Sequence, residues 1–347
     1  MELDDRKKKI LALVVENYIE SAEPVGSKQI ADNYENDISP ATIRNEMKQL
    51  EEIGFLEQPH ISAGRVPSTL GYRYYVDNLM SNNTLSMVDI DYINNNIVSY
   101  GSVEKTLEHA ADVVSKLLNL PAVLNIKTTD VVENVKILKI SEKILLIILM
   151  SNSGNVKDVI VQITDSLPET RMDELSRLLN KNLKGTPLEN LSLALNDVVK
   201  KELSKFSNIL NEMEHIVRKE LDEPKNNMKG NMESLLALPE FSNTNEIKKF
   251  LNVVNTKEII NEVLNKIDKD DISVIIGNEN NQMLLKDYSL ISLDFTATDT
   301  TSATLGIVSP KRVDYKKAVS TLKAVNDRLK KIFGKEKEDK DGARKED

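Results

Sequence analysis

The sequence predicts an α+β fold in which a small, largely helical N-terminal region precedes a sheet that is interrupted by helices. Residues 1–80 show helical periodicity followed by short extended segments. Strand-like apolar runs lie between residues 122 and 163, and further runs lie between residues 272 and 308. The stretch between them has helical periodicity, so the pattern predicts one sheet with an insertion.

The N-terminal region is predicted to begin with two helices. Ile10, Leu13 and Val14 recur on one face of the first helix. Residues 23–26, Glu-Pro-Val-Gly, interrupt this pattern, and Ser27 can then cap a second, short helix.

A third helix is predicted to start at Ser39 and to end at Gly54. Ser39 is a favourable N-cap, and Pro40 suits the first helical position. Apolar side chains recur on one face of this helix, and polar ones recur on another at i, i+3, i+4 and i+7. Arg can donate to guanine, Asn can pair with adenine and Lys neutralises phosphate, so the second face is suited to the major groove. That face consists of Ala41, Arg44, Asn45 and Lys48.

The segment after Gly54 predicts a hairpin wing. Residues 55–59 favour a strand, residues 60–65 a glycine-containing loop, and residues 66–68 a returning strand. The whole order indicates a winged helix-turn-helix, with Arg65 at the tip of the wing, where it could touch phosphate or the minor groove. We expect DNA contacts from Lys28, Ser39, Ala41, Thr42, Arg44, Asn45, Lys48, His60, Ser62, Gly64 and Arg65.

Each of these residues also has a structural interpretation. Arg44, Asn45 and Lys48 could form a solvated helix face, and Arg65 could be a turn residue. Thr42 either caps its helix or contacts phosphate, and the sequence leaves both open.

Charge alone argues against DNA binding. Residues 1–80 carry nine Lys and Arg but 14 Asp and Glu, a formal net charge of −5, where a basic footprint is expected. The cations Lys28, Arg44, Lys48 and Arg65 fall on the predicted DNA-facing elements, whereas many acids fall elsewhere. We therefore expect affinity to depend on the doubled contacts of a dimer.

Several classes of function lack their motifs. The sequence has no Cys and three scattered His, so neither a disulfide nor a zinc site is expected. It has no Walker loop, GxSxG, HExxH or dinucleotide glycine pattern, so we predict no enzyme and no cofactor. No apolar run approaches the roughly 20 residues of a membrane span, and no signal peptide pattern is present, which predicts a cytoplasmic protein.

Four sequence blocks make a resemblance specific. Residues 23–27 (EPVGS), 39–47 (SPATIRNEM), 58–67 (QPHISAGRVP) and 71–77 (GYRYYVD) resemble the heat-inducible transcription repressor HrcA family. Residues 235–241 and 306–315 are similar to its C-terminal region. Ile61, Val66 and Lys311 depart from the family pattern, which has Thr, Ile and Thr there; only the first lies in a predicted DNA-facing loop.

The resemblance implies an architecture and a set of partners. It implies a GAF-like domain with an inserted helical dimerising domain, and a homodimer that binds the CIRCE inverted repeat before chaperone operons such as groE and dnaK. It further implies release on heat stress and help from the chaperonin GroEL. The expected divisions are a winged helix-turn-helix in residues 1–80, a GAF-like domain in 85–165 and 226–334, a dimerising domain in 166–225 and a disordered charged tail in 335–347.

Other functions stay open at this point. A GAF-like domain could sense a small ligand, which would make the chain a regulator of another operon, or less plausibly could catalyse a reaction. The winged helix could also bind protein in a structural complex. Binding of an inverted-repeat DNA in excess non-specific DNA distinguishes the repressor from an enzyme and from a structural protein.

Overall fold

The structure is a computed structural model that mixes helices and strands, as predicted. It divides into a reader domain (residues 3–81), a body (residues 85–128 and those from 228 onward) and an insertion (residues 129–221). The described residues are 3–34, 38–61, 63–81, 85–164, 166–201, 206–221, 228–229, 238–255, 272–280 and 285–343.

The reader domain is a winged helix-turn-helix, which confirms the predicted order of elements. Strands β1 and β2 pair antiparallel, and Ile10, Val14, Ile43 and Leu50 are fully buried between the helices. After the last helix a π-helical turn leads towards the body. Its elements are α1 Asp5–Ser21, α2 Ser27–Asp32, α3 Pro40–Glu52, β1 Leu56–Glu57, β2 Val66–Pro67 and α4 Thr69–Tyr74.

The body is built on a five-stranded sheet in the order β7-β3-β10-β9-β8, and all its pairings are antiparallel. Two helices, α6 (Val103–Leu118) and α11 (Tyr315–Ala343), pack on this sheet. Their buried apolar side chains include Leu107, Val114, Leu322 and Leu329. Its elements are α5 Met87–Asn96, α6 Val103–Leu118, β3 Ala122–Thr128, β7 Met228–Lys229, α10 Thr244–Asn255, β8 Ile272–Ile276, β9 Tyr288–Thr296, β10 Thr301–Pro310 and α11 Tyr315–Ala343. Of the stretch with helical periodicity that precedes β8, residues 232–237 and 256–267 lie outside the described ranges.

The insertion leaves the sheet after β3 and rejoins it at β7, and the two strands are neighbours. A three-stranded antiparallel sheet, β4-β5-β6, packs with three helices around a second core that includes Ile147, Leu179 and Leu210. Its elements are β4 Val132–Ser141, β5 Ile144–Ser151, β6 Val156–Gln162, α7 Glu169–Leu183, α8 Leu191–Lys201 and α9 Ser207–Leu221.

This second core corrects two expectations. The expected domain boundary at residues 165 and 166 falls between β6 and α7, which belong to one core. The insertion is therefore not purely helical, because it includes three strands that the sequence analysis assigned to the GAF-like sheet. We propose residue 129 as its start. The apolar runs identified the strands but could not identify the core on which they pack.

The charged tail requires a further correction. We expected disorder from residue 335 onward, but α11 continues to Ala343. Lys and Glu are good helix formers, and residues 335–340 are rich in both.

Ion pairs join the reader domain to the body. Arg73 of α4 donates to both carboxylate oxygens of Glu279, at 2.7 and 2.5 Å. Arg312 makes a two-point contact with Glu240 and also donates to the main-chain carbonyl oxygen of Ile19, at the end of α1.

Buried tyrosines complete this junction. Tyr72 packs against Tyr315 with ring centroids 5.6 Å apart. Tyr75 donates to Glu16, which also pairs with Lys316, and burial together with the charge of Glu16 raises the pKa of the Tyr75 hydroxyl. Tyr72 and Tyr75 thus pack between the reader domain and the body.

Candidate nucleic-acid interface

Helix α3 begins with a side-chain cap. The Ser39 Oγ accepts a hydrogen bond from the Thr42 backbone N–H at 3.2 Å, and the two hydroxyl groups lie 2.9 Å apart. Pro40 occupies the first helical turn, as predicted. Thr42 therefore takes part in the cap, while a contact of Ser39 or Thr42 with phosphate stays a prediction.

The two faces of α3 separate as predicted. Ile43, Met47 and Leu50 are buried against α1 and α2, which fixes the rotation of the helix. The opposite face, consisting of Ala41, Arg44, Asn45 and Lys48, is exposed. Lys48 lies 3.6 Å from Glu52, but with 67% of its side chain exposed this ion pair is weak and leaves the ammonium group accessible.

The base of the wing is fixed to the loop before α2. Val25 and Arg65 exchange two backbone hydrogen bonds of 2.9 Å. A Cβ atom at Gly64 would lie 2.3 Å from the Val25 carbonyl oxygen, so only glycine permits this approach. Gly64 was predicted to contact DNA, and the structure shows a packing role for it.

Arg65 is not at the tip of the wing, contrary to expectation. Its Nε and Nη2 both lie 2.8 Å from the Glu51 Oε2 on α3, and only 17% of its side chain is exposed. Pairing with Val25 places Arg65 at the base, from which the guanidinium group reaches back to α3. Glu51 was missed because it stands 14 residues away and no local pattern links the two.

The remaining predicted contacts lie around this helix and wing. His60 is exposed in the loop of the wing, and Lys28 is exposed on α2. Ser62 lies outside the described residues. Between α2, α3 and the wing is a cleft of about 230 Å³. It is lined by Val25, Gly26, Ser27, Arg44, Met47, Gln58, Ile61, Ala63, Gly64 and Arg65.

Acidic side chains of the reader domain are partly neutralised away from the exposed face. Glu46 lies 3.0 Å from Lys7 and 3.6 Å from Arg6, both on α1. Glu51 is paired with Arg65. The net charge stays −5 because these cations are already counted in it, but a cation beside Glu46 and Glu51 weakens the repulsion that each carboxylate alone would exert on a phosphate backbone. The fold and its exposed recognition helix define a DNA-binding protein of the winged helix-turn-helix class.

Comparisons with known proteins agree with this class. The family model described as "Winged helix-turn-helix transcription repressor, HrcA DNA-binding" matches residues 2–76, and "HrcA protein C terminal domain" matches residues 104–319. A relative from Ruminiclostridium cellulolyticum, named heat-inducible transcription repressor HrcA, is 33% identical over 95% of this chain and 97% of its own. One of the same name from Acetivibrio thermocellus is 32% identical over 97% and 99%. The chain belongs to the family of the heat-inducible transcription repressor HrcA, which is a family of regulators and not of enzymes.

A solved structure confirms the architecture. A crystal structure described as that of a hypothetical protein at 2.2 Å resolution superposes with a TM-score of 0.71. It covers 96% of this chain and 99% of its own at 22% identity, so it supports the fold alone. Among the helices that the structure describes, none has the length and apolar character needed to cross a membrane.

Proposed function

We propose that this protein represses class I heat shock operons, such as the groE and dnaK chaperone operons, by binding the CIRCE inverted repeat as a homodimer until heat stress releases it. The exposed Arg44, Asn45 and Lys48 face of α3 carries the proposal, because these side chains supply both base readout and phosphate contact. The names of the relatives favour this function over a ligand-sensing regulator of another operon.

An inverted repeat requires two reader domains related by a two-fold axis. The outer face of the β4-β5-β6 sheet supports a dimer contact there, because most of its side chains are apolar although they face away from the insertion's core. Ile140, Val156 and Ile160 are each more than half exposed in the single chain. The apolar members of this outer face are Leu138, Ile140, Ile144, Leu146, Ile148, Met150, Val156 and Ile160.

Two charges on the outer face fit a symmetric partner. Lys136 and Asp158 flank Ile148 on its two sides in the register of the sheet. If the two outer faces pack with their two-fold axis parallel to the strands, Lys136 of one subunit lies opposite Asp158 of the other. We therefore place the dimer contact on the strands of the insertion as well as on its expected helical part.

The proposal extends to the chaperonin GroEL, which the family resemblance implies. A subunit separated from its partner exposes the apolar outer face, and exposed apolar patches of this kind are binding sites for other proteins. Heat would favour the separated subunit and so lower occupancy of the operator. Because its target is chromosomal DNA, we propose that the protein acts in the cytoplasm.

A gel-shift assay tests the function. The purified protein should bind a CIRCE duplex tightly in excess non-specific DNA, and a duplex with one half-site scrambled should bind far more weakly. Equal affinity for the two duplexes would contradict a dimeric reader of an inverted repeat. Equal affinity for CIRCE and random DNA would contradict a specific repressor.

A further inference from the structure

The wing carries an apolar side chain that is completely exposed. Ile61 is 100% exposed, the largest fraction among the exposed large hydrophobic side chains of the described residues. Leu70, the other such side chain in the reader domain, is 49% exposed. An isoleucine gains stability from leaving water, so full exposure in the free protein makes Ile61 available for contact with a partner.

The loop that presents Ile61 is held closed by hydrogen bonds. The Gln58 Nε2 donates to the carbonyl oxygens of Ile61 and Ala63, at 2.9 and 3.0 Å. The Ala63 N–H donates to the His60 carbonyl oxygen at 2.9 Å. Because hydrogen bonds hold the turn on both sides of Ile61, this side chain can bind a partner surface with little loss of backbone entropy.

The charge of the wing points to an apolar contact. Residues 58–64 contain no Lys or Arg. Arg65, the first cation after them, is held at the base of the wing by Glu51. The tip therefore lacks a Lys or Arg that would bind phosphate there, and Ile61 is its exposed large apolar side chain among the described residues.

We propose that Ile61 inserts into the minor groove beside each half-site and favours A·T pairs there. Once α3 occupies the major groove, the wing lies next to the adjacent backbone, and apolar side chains such as Ile are known to enter minor grooves. A G·C pair places the guanine 2-amino group on the floor of the minor groove, where an aliphatic side chain leaves it without a hydrogen-bond acceptor. An A·T pair presents no such donor. The inference rests on the proposed operator function.

Duplexes with altered minor grooves test this directly. The full-length protein is titrated with CIRCE duplexes whose flanking pairs are A·T, G·C or inosine·C. An inosine·C pair has the major groove of G·C but lacks the 2-amino group. We expect A·T and inosine·C flanks to bind alike, and G·C flanks to bind about 5- to 20-fold more weakly, from the burial of one aliphatic side chain.

Variants assign the preference to the side chain. Ile61→Ser should bind all three duplexes at the level of the G·C flank, with an unchanged salt slope because no phosphate contact is lost. Ile61→Leu should keep the preference. Leu70→Ser removes an exposed apolar side chain from α4 and should behave as the unsubstituted protein.

Three results with altered flanks or with the Ile61→Ser variant would overturn the proposal, and two results for the unsubstituted protein would do so as well. One is a flank preference that survives Ile61→Ser, and another is inosine·C binding like G·C, which would indicate readout through the major groove. The third is a flatter salt slope for Ile61→Ser. If the unsubstituted protein fails to prefer CIRCE over random DNA, the operator function fails together with this inference. A preserved CIRCE preference without flank discrimination refutes the role of Ile61 alone.

Discussion

Arg44 and Lys48 lie on one exposed face of α3 but should contribute differently to DNA binding. Two parallel N–H donors of Arg44 match the two acceptors of a guanine edge, so Arg44→Ala should cost about 1–3 kcal/mol on the specific site and little on random DNA. Titration of both duplexes at one salt concentration measures the difference. Equal losses would instead assign Arg44 to phosphate.

Lys48→Ala is the substitution to compare with Arg44→Ala, because it removes a cation that is expected to neutralise phosphate. It should weaken binding to every sequence and reduce the slope of log K against log salt by about one unit. The measurement is a salt series on CIRCE and on random DNA. An unchanged slope would show that the Lys48 ammonium group makes no phosphate contact.

Arg65 should act mainly on stability. The partly buried pair with Glu51 makes Arg65→Ala destabilising by about 1–2 kcal/mol, more than an ordinary surface change. Urea unfolding measures it, and Glu51→Gln should lose a similar amount without removing a cation. If stability is unchanged while operator binding falls, the guanidinium group leaves Glu51 to bind DNA.

The chemistry of α3 could be predicted from sequence because it depends on neighbours three and four residues apart. The local helical pattern alone predicts where Ser39, Ile43, Arg44 and Lys48 lie. The position of Arg65 depends on a bridge to Val25 and a pair with Glu51, contacts that span 40 and 14 residues. Side-chain partners at such distances leave no periodic signal, which is why the predicted position of Arg65 at the tip of the wing was wrong, while its contact with DNA stays a prediction.

At the scale of elements, the outer face of the β4-β5-β6 sheet should be the dimer contact. Ile160→Lys puts one charge on this face at a position already 54% exposed, so the subunit should fold but sediment as a monomer. Asn182→Lys adds the same charge to the exposed side of α7 and should stay dimeric. If Ile160→Lys stays dimeric and Asn182→Lys becomes monomeric, the dimer contact lies on the helices of the insertion.

Asp130 lies where the insertion joins the body, and the stability that it provides should depend on pH. Burial opposes its charge, but hydrogen bonds from Ser153, Thr300, Asn155 and Ser151 outweigh this and lower the pKa of the carboxyl group. The Asn155 Nδ2 and Ser151 Oγ lie 2.9 and 3.1 Å from its Oδ2. Thr300 belongs to the turn between β9 and β10, so the cluster spans both cores.

A lowered pKa in the folded state stabilises the protein above the ordinary value of 3.8, and this contribution is lost as the pH falls through the folded-state pKa. Asp130→Asn should therefore reduce the free energy of unfolding by about 1–3 kcal/mol at pH 7, and the difference from the unsubstituted protein should shrink below about pH 4. Urea unfolding across this range measures it. A difference that is independent of pH would mean that the charge is not what stabilises the cluster.

The strands of the insertion show which features of an element can be predicted from its own sequence. The strand-like apolar runs between residues 122 and 163 correctly predicted strands where β5 and β6 lie. Their partners could not be predicted, because β5 is apolar on both faces and fits either core. The chain returns to the body at β7, and nothing in the local sequence marks that pairing with β3.

For the whole molecule, the reader domain and the body share one apolar core and the Arg73–Glu279 and Arg312–Glu240 pairs. The body therefore sets the orientation of the reader domain, and in the proposed dimer the contact between subunits would set the spacing of the two reader domains. Loss of the dimer should abolish tight operator binding while each reader domain stays folded, since two linked weak contacts exceed one by about 10² to 10⁴ in avidity.

Heat release should consequently depend on protein concentration. Dissociation of a dimer follows mass action, so a ten-fold higher concentration should raise the temperature at which CIRCE is released by roughly 2–6 °C. Gel shifts over a temperature series at two concentrations measure this, and near-ultraviolet circular dichroism of the buried tyrosines Tyr72 and Tyr315 reports whether the subunit is still folded. Release at one temperature whatever the concentration, coincident with loss of the tyrosine signal, would show that the repressor is inactivated by unfolding of the subunit. Ile160→Lys is the control, because a protein that is already monomeric should bind CIRCE weakly at every temperature.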